Sequence, residues 1–191
     1  LTIDTSGSGL NKRGYRLAQG EAPIKETLAA SLIKLANWTG DTPLIDPFCG
    51  SGTIAIEACL IAQNIAPGFN RDFVSESWDI MPNDLYNQMR DEADQAADYD
   101  REVEVLASDI DPDMVEIAKR NADEVGLGDI IKFSVKDVNT LTVEANRAIA
   151  LIGNPPYGER IGDREEVEEM YKYIGTLMKQ HAQLFTYILT S

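Results

Sequence analysis

Short apolar runs alternate with longer stretches of helical character along most of this chain, and the alternation predicts strands separated by helices. Strands are predicted at five apolar runs, residues 44–45, 102–107, 130–135, 148–152 and 184–189. Helices are predicted at residues 23–40, 53–66, 111–125 and 163–180. Strands that alternate with helices form a mostly parallel sheet with helices on both faces. The pattern therefore predicts an α/β fold.

The first predicted helix opens at Pro23, a position that proline favours, and ends at Gly40. Large apolar residues recur along it at helical spacing, so we expect them to form one buried face. That face consists of Ile24, Leu28, Leu32 and Leu35.

Two segments depart from the alternation. Residues 1–20 are polar and glycine-rich, and we interpret them as a lead-in segment with little regular structure before a single domain at 21–191. The cluster at 13–16 within this segment, which holds two arginines, could contact a phosphate or simply be exposed. Residues 67–100 are interpreted as an insertion before the second strand, with an acidic helix that opens at Pro82.

Composition limits the classes of function. A chain of 191 residues makes about one domain, and no apolar run is long enough to span a membrane. The net charge of −15 argues against strong nucleic-acid binding by this chain alone, although not against a nucleic-acid substrate delivered by another domain. Cys49 and Cys59 are expected to be buried and reduced, as in a cytoplasmic protein. With two cysteines and one histidine, we expect no metal site.

A glycine loop between the first strand and the next helix is the strongest candidate for a ligand site. It consists of Asp46, Pro47, Phe48, Cys49, Gly50, Ser51, Gly52 and Thr53. Gly50 and Gly52 allow a sharp turn and a close ligand approach. The loop lacks the spacing of the phosphate-binding and dinucleotide-binding loops. Because a carboxylate would repel a phosphate, Asp46 instead favours a ligand with an ammonium group.

Other polar residues follow the later strands, and the carboxyl ends of parallel strands meet at one edge where ligands bind. Asp109, after the second strand, can accept hydrogen bonds from both ribose hydroxyls of a nucleoside. Asp137, after the third strand, could accept a hydrogen bond from the amino group of an adenine, or could be only a turn residue. An amine, a ribose and an adenine without a pyrophosphate describe S-adenosyl-L-methionine.

The fourth strand leads into Asn154, Pro155, Pro156 and Tyr157. The Asn154 side-chain oxygen and the Pro155 carbonyl could each accept an N–H of an exocyclic base amine, which would orient the amine and raise its lone-pair density. Two prolines stiffen the backbone, and Tyr157 offers a ring on which a flipped base can stack. A rigid proline turn with a surface tyrosine is the alternative.

The glycine loop combined with Asn154–Tyr157 resembles the class I S-adenosylmethionine-dependent N-methyltransferases of nucleic acid. More narrowly, the chain is similar to the bacterial 23S rRNA guanine-N2 methyltransferases, long described as N6-adenine-specific DNA methylases. Segments at 12–16, 22–30 and 64–78 are also similar to that family.

The resemblance implies a Rossmann-like class I methyltransferase fold and a role for each motif. Asp46 to Thr53 would line the methionine part of the cofactor, and the segment 23–27 would close over that end. Asp109 with Ile110 would hold the ribose, and Asp137 with Val138 the adenine. Asn154 to Tyr157 would hold the target amine, and Asn154 is expected to bind the cofactor as well.

The chain departs from the family in two ways. The family carries an N-terminal RNA-binding THUMP domain, to which nothing here is similar. Its sheet has seven strands, whereas five are predicted here, so the last two are expected to be missing. We therefore expect a catalytic-domain fragment that reaches rRNA through a missing N-terminal domain, binds the cofactor and methylates poorly alone.

Three alternatives to guanine-N2 methylation of 23S rRNA stay open at this point. The first is N6-adenine methylation of DNA or RNA, because the same motif can serve both amines. The second is methylation of a protein glutamine, whose side-chain amide the motif can also orient. The third is a cofactor-binding module without catalytic activity.

Overall fold

The computed structural model describes residues 2–16, 23–82, 84–144, 146–156 and 163–190. Its α-helices are α1 (Glu26–Leu35), α2 (Thr53–Ala62), α3 (Leu85–Ala96), α4 (Pro112–Asp123) and α5 (Asp163–Gln180). Its strands are β1 (Leu44–Asp46), β2 (Val105–Asp109), β3 (Ile131–Val135), β4 (Ile149–Gly153) and β5 (Leu184–Ile188). Short 3₁₀ turns lie at Val74–Ser77 and Val138–Thr140.

The five strands form one sheet in the order β3-β2-β1-β4-β5, and every pair is parallel. The predicted α/β fold with a parallel sheet is confirmed. The strand order reverses between β1 and β4, because the chain proceeds outward from β1 to β3 and then returns to the other side of β1. Such a reversal opens a crevice at the carboxyl ends of the strands, which is where ligands bind in sheets of this type.

Helices cover both faces of the sheet, as predicted. On one face, α1, α2 and α4 bury a large core against alternate strand residues such as Leu44 and Val105. On the other face, α5 packs through Leu177 against the intervening residues, among them Ile45 and Leu151. Since successive side chains of a strand point to opposite faces, helices on both faces leave β1 and β4 buried along their whole length.

The predicted buried face of the first helix is correct only in part, since Ile24 and Leu32 are half-buried against the main core. Leu28 and Leu35 are 44% and 79% exposed, whereas Ala29 and Ile33 are fully buried. The helix packs against α2, and small residues on the contacting side allow the two backbones to approach closely. Helical spacing alone could not distinguish this side from the neighbouring row of leucines.

Several predicted boundaries moved by a few residues. Helix α2 ends at Ala62 rather than at residue 66, because Asn64 adopts a left-handed φ of 54° that stops the helix. Strand β2 extends to Asp109, where it still pairs with Val135 of β3. The acidic helix α3 begins at Leu85, slightly after Pro82, and none of its residues is buried. No helix among the described residues is long and apolar enough to cross a membrane.

The N-terminal segment contains no helix or strand at 2–16, yet it packs on the domain. Tyr15 is 1% exposed and belongs to the main core. The guanidinium of Arg71 donates hydrogen bonds to the carbonyls of Ser6, Ser8, Gly9 and Lys12 at 2.6–3.2 Å. The buried guanidinium of Arg71 therefore supplies hydrogen bonds that these carbonyls would otherwise receive from a neighbouring strand.

Replacing Arg71 with methionine should release this segment and lower stability by about 2–4 kcal/mol, because several hydrogen bonds from one charged group are lost. Urea unfolding would measure the loss, and hydrogen exchange should show faster exchange of the amides at residues 6–12. Arg120→Met is the matched control, since that arginine is 68% exposed and pairs with the exposed Glu116. If the amides at residues 6–12 exchange equally fast in both variants, Arg71 does not hold this segment on the domain.

Candidate active site

A pocket of about 490 Å³ opens at the carboxyl edge of the sheet, at the reversal between β1 and β4. Its walls come from the glycine loop, the segment before α1, the ends of β2, β3 and β4, and the first turns of α5. The lining residues that the sequence analysis singled out are Pro47, Phe48, Cys49, Gly50, Ser51, Thr53, Asp109, Ile110, Asp137, Val138, Asn154 and Pro156. The structure therefore gathers most of the predicted site around one cavity.

The glycine loop is fixed by hydrogen bonds to the neighbouring strand. The Cys49 N–H donates to the Ser108 carbonyl at 2.9 Å, and the Gly50 N–H donates to Asp109 Oδ2 at 2.9 Å. Gly50 adopts a φ of 49°, and a Cβ there would meet nothing within 4 Å. The loop thus presents bare backbone to the pocket at Gly50, as the sequence predicts for close approach by a ligand.

Gly52 makes the sharp turn that the sequence predicts, but it does not serve ligand approach. It does not line the pocket. A Cβ at Gly52 would lie 3.0 Å from the Cβ of Ala118 in α4, and its φ of 85° is left-handed. The structure therefore explains this glycine by the turn into α2 and by the close packing of α2 on α4, rather than by ligand approach.

Asp46 lies beneath the loop and is completely buried. Its Oδ1 accepts a hydrogen bond from the Phe48 N–H at 3.2 Å, while Oδ2 has no partner among the described residues. Burial raises the pKa of Asp46 to about 8, and the negative charge of Asp109 adds to the shift. A buried carboxyl oxygen without a partner is costly, and a cationic group would satisfy it. Asp46 does not itself line the pocket.

Asp109 reaches the pocket with both carboxylate oxygens already oriented. Oδ2 accepts from Gly50 and Oδ1 accepts from the Asp111 N–H at 3.0 Å. Asp111 in turn caps α4 by accepting from the Asp113 N–H, as predicted. Each oxygen of a carboxylate has two lone pairs, so Asp109 retains the capacity to accept ribose hydroxyls. Ile110, beside it, is 68% exposed and offers an apolar surface.

Asp137 and Val138 follow β3 at the far side of the pocket. Asp137 caps the 3₁₀ turn by accepting from the Asn139 N–H at 2.9 Å, so its interpretation as a turn residue is confirmed, while its contact with an adenine stays a prediction. Val138 packs against Met170 and Ile174 of α5 and contributes an apolar wall. An acid beside an apolar wall is a suitable arrangement for an adenine.

The segment after β4 is only partly described. Asn154 and Pro156 line the pocket. Pro155 is buried and does not line it. Tyr157 lies outside the described residues, so its stacking role stays a prediction. Glycine at position 153 allows the Phe48 ring to pack closely on the end of β4, because a Cβ there would lie 2.9 Å from that ring.

The cationic cluster at 13–16 is not an exposed patch, so that alternative from the sequence is corrected. Arg13 pairs with Glu57 of α2 at 3.4 Å, and the Tyr15 hydroxyl donates to the same carboxylate at 3.1 Å. Arg16 pairs with Glu26 at 3.6 Å. Both glutamates are nearly fully buried, which explains why buried arginines are needed beside them. Glu57, which interrupts the apolar sequence of α2, was the one feature of the sequence that could have indicated a buried ion pair here.

Several lining residues were missed by the sequence analysis. They are Ile54, Asn139, Glu166, Val167 and Met170. The last three belong to α5, which approaches the pocket only through tertiary packing, so no local pattern marks them. Pro23 and Ile24 also line the pocket, consistent with the segment that the family resemblance placed over the methionine end.

The remaining expectations concern thiols and metals. Cys49 and Cys59 are both free and buried, and the expectation of buried, reduced thiols is confirmed. Burial raises the pKa of the Cys49 thiol far above its usual value, which disfavours the reactive thiolate form. Within the described ranges, no group of three or more His, Cys, Asp or Glu residues is placed to hold a metal ion.

Comparisons with known proteins cover nearly the whole chain. Residues 13–191 match the model of a family described as "RMKL-like, methyltransferase domain". The chain is 56% identical over 191 residues to the "Putative RNA methyltransferase YpsC" of Bacillus subtilis. This match covers 100% of the present chain and 49% of that relative. It is 40% identical over 185 residues to a "Ribosomal RNA large subunit methyltransferase K/L" of Shewanella frigidimarina, in a match that covers 94% of the present chain and 26% of that relative. The chain thus spans half or less of the length of these relatives.

Solved structures give the same picture. A "predicted N6-adenine-specific DNA methylase" from Listeria monocytogenes is 53% identical, with a TM-score of 0.94 over 99% of this chain and 50% of its own. SMU.472, "a putative methyltransferase complexed with SAH", is 46% identical, with a TM-score of 0.91 over 98% of this chain and 49% of its own.

The buried carboxyl of Asp46 makes stability depend on pH. Its folded pKa of about 8 lies above the usual 3.8, so its contribution to stability is full below about pH 4 and is lost as the pH rises towards 8. Asp46→Asn should match the wild type near pH 4 and exceed it by about 2–4 kcal/mol near pH 7.5. Urea unfolding across this range measures the difference.

Asp41→Asn is the exposed control for this measurement. Hydrogen bonds from Thr39 and Arg101 lower the pKa of Asp41, so its substitution should have a small effect of opposite sign. A difference between Asp46→Asn and wild type that does not change between pH 4 and pH 8 would contradict the buried, proton-binding carboxyl.

Proposed function

The chain belongs to the family of RMKL-like methyltransferase domains, and we propose that it transfers a methyl group from S-adenosylmethionine to an exocyclic amine of an RNA base. The target that we favour is N2 of a guanine in 23S rRNA. The observation that carries the proposal is the arrangement of Asp109 and Asn154 around one crevice at the strand ends, with Asp46 buried beneath the glycine loop that lines it.

The carboxylates and apolar surfaces of the site support this cofactor. The unpartnered oxygen of Asp46 suits the ammonium group, and Asp109 suits the ribose hydroxyls. Asp137 and the apolar surfaces of Ile110 and Val138 suit the adenine. A relative of known structure, SMU.472, is described as complexed with SAH, the demethylated product of this cofactor. When bound, the cofactor supplies an electrophilic methyl group on its sulfonium.

The protein then has to orient the accepting amine and hold its developing charge. The amine nitrogen gains the methyl group and loses a proton, while the sulfonium becomes a thioether, so charge moves from sulfur to nitrogen during transfer. We assign Asn154 and the carbonyl of Pro155 to accept the two N–H groups, since acceptors placed before the reaction stabilise that charge. Stacking of the flipped base on Tyr157 is part of the same proposal.

An RNA substrate is favoured by the names of the relatives, two of which are described as RNA methyltransferases. The net charge of −15 makes this chain a poor RNA-binding surface. We therefore propose that rRNA is held by a separate RNA-binding domain of a longer protein, in the cytoplasm, and that residues 1–191 alone methylate slowly. N6-adenine methylation is the second candidate, because the Listeria relative is described as an adenine-specific methylase.

The test uses the full-length protein with methyl-labelled S-adenosylmethionine and rRNA that lacks base modifications, with DNA in parallel. The products are digested to nucleosides and separated. Label in N2-methylguanosine supports the proposal, whereas label in N6-methyladenosine or its deoxy form replaces guanine with adenine as the substrate. Cofactor binding without label in either nucleic acid overturns the RNA proposal and favours a protein glutamine or a non-catalytic module.

Asn154→Ala should lower the rate of transfer by roughly 100- to 1,000-fold, as expected when a preorganised hydrogen-bonding group is removed. Affinity for S-adenosylhomocysteine should fall by less than about tenfold, the value of one neutral hydrogen bond. Single-turnover kinetics and calorimetric titration measure the two quantities. The matched control is Asn87→Ala, in the exposed helix α3. An unchanged transfer rate in folded Asn154→Ala would refute the assigned role.

A further inference from the structure

Arg16 connects two walls of the pocket without lining it. Its Nη2 donates to the Ile24 carbonyl at 2.8 Å and to Thr53 Oγ1 at 2.8 Å. Ile24 and Thr53 both line the pocket, one on the segment before α1 and the other at the first residue of α2. The side chain of Arg16 is only 14% exposed. One buried guanidinium therefore holds the glycine loop to the segment that faces it.

The position of this cation is unfavourable for the fold alone. It lies at the amino end of α2, where the helix dipole already places positive charge, and the first turn of α2 contains no acidic residue to offset it. Glu26 compensates from 3.6 Å, beyond the range of a good hydrogen bond, and Arg16 Nε has no hydrogen-bond partner among the described residues. A cation at a helix amino end whose carboxylate partner lies 3.6 Å away can also favour an anionic ligand group nearby.

The hydrogen bonds also determine how Thr53 can act. Because Thr53 Oγ1 accepts from Arg16, its own hydrogen is available to donate, either to Ser51 Oγ at 3.5 Å or into the pocket. Among the described lining residues, the only cation is Lys136, which follows β3 beside Asp137 at the other end of the pocket. A carboxylate bound near the glycine loop would therefore depend on Thr53 and on the field of Arg16.

We propose that Arg16 is a positioning residue for the carboxylate of the bound amino-acid moiety: it makes the Thr53 hydroxyl a hydrogen-bond donor into the pocket and supplies the opposing charge from behind. This inference rests on the proposed cofactor. It assigns the two charges of the amino-acid end to different residues, with the ammonium at Asp46 and the carboxylate at Thr53 and Arg16.

The test compares two ligands that differ only at the carboxylate. S-adenosylhomocysteine and its decarboxylated analogue, which keeps the amine, are titrated calorimetrically into the wild type and Arg16→Met. The variant should bind S-adenosylhomocysteine about 10- to 100-fold more weakly, the range for a hydrogen bond to a charged group. Its affinity for the decarboxylated analogue should change by less than about threefold, so the wild-type preference for the carboxylate disappears.

Arg13→Met is a closely matched control. The Arg13 side chain is 13% exposed and pairs with a buried glutamate, but it lies away from the pocket. Its substitution should leave the ratio of the two affinities unchanged. Thr53→Val, which removes only the hydroxyl, should reproduce the loss of preference, and adding Arg16→Met to it should cause little further change in that ratio. If Arg16→Met does not fold, Thr53→Val and Arg16→Lys carry the test, because lysine cannot donate to both acceptors in the same planar geometry.

The outcomes separate this inference from the proposed function. Equal weakening of both ligands in Arg16→Met would mean that Arg16 only holds the pocket walls together, and would overturn the inference, as would unchanged affinities. Failure of the wild type to bind S-adenosylhomocysteine at all would instead refute the proposed cofactor. Binding with the carboxylate preference intact in Thr53→Val refutes the inference alone.

Discussion

The hydrogen bond from the Gly50 amide to Asp109 Oδ2 is the interaction on which the rest of the site depends. It joins the loop that leaves β1 to the end of the neighbouring strand β2. With the bond from Cys49 to Ser108, it sets the height of the loop above the sheet. The side chain of Asn121 in α4 adds a third tie, because its Nδ2 donates to the Ser51 carbonyl at 2.9 Å. The pocket floor is therefore held by β2 and α4.

Buried charge is distributed unusually for so acidic a protein. The three buried or nearly buried arginines described above, Arg13, Arg16 and Arg71, all hold the N-terminal segment or the loop against the core. Other excess negative charge lies away from these arginines, for example on the acidic helix α3, none of whose residues is buried. The few cations near the core are therefore used for internal connections, and none of these three is available for binding a polyanion.

The sequence predicted elements well where local chemistry decides them. The bounds of α5 agree with the prediction, and α4 begins at the Asp111 cap and Pro112 because an acceptor side chain and a proline both favour a helix start. The glycine loop and the strand-end acids were found because parallel strands bring their carboxyl ends together. The buried side of α1 and the contribution of α5 to the pocket were not found, since both depend on which helix packs where. The role of Gly52 was missed for the same reason, as Ala118 lies 66 positions away in the chain.

The protonated state of Asp46 has a consequence for energetics in solution. A carboxyl group with a pKa of about 8 carries a proton at neutral pH, and a cation that arrives beside it favours the ionised form. Capture of an ammonium-bearing ligand would then expel a hydrogen ion into the medium. The heat of association would vary with the ionisation enthalpy of the buffer, and the site would act as a proton-coupled receptor whose occupancy increases with alkalinity.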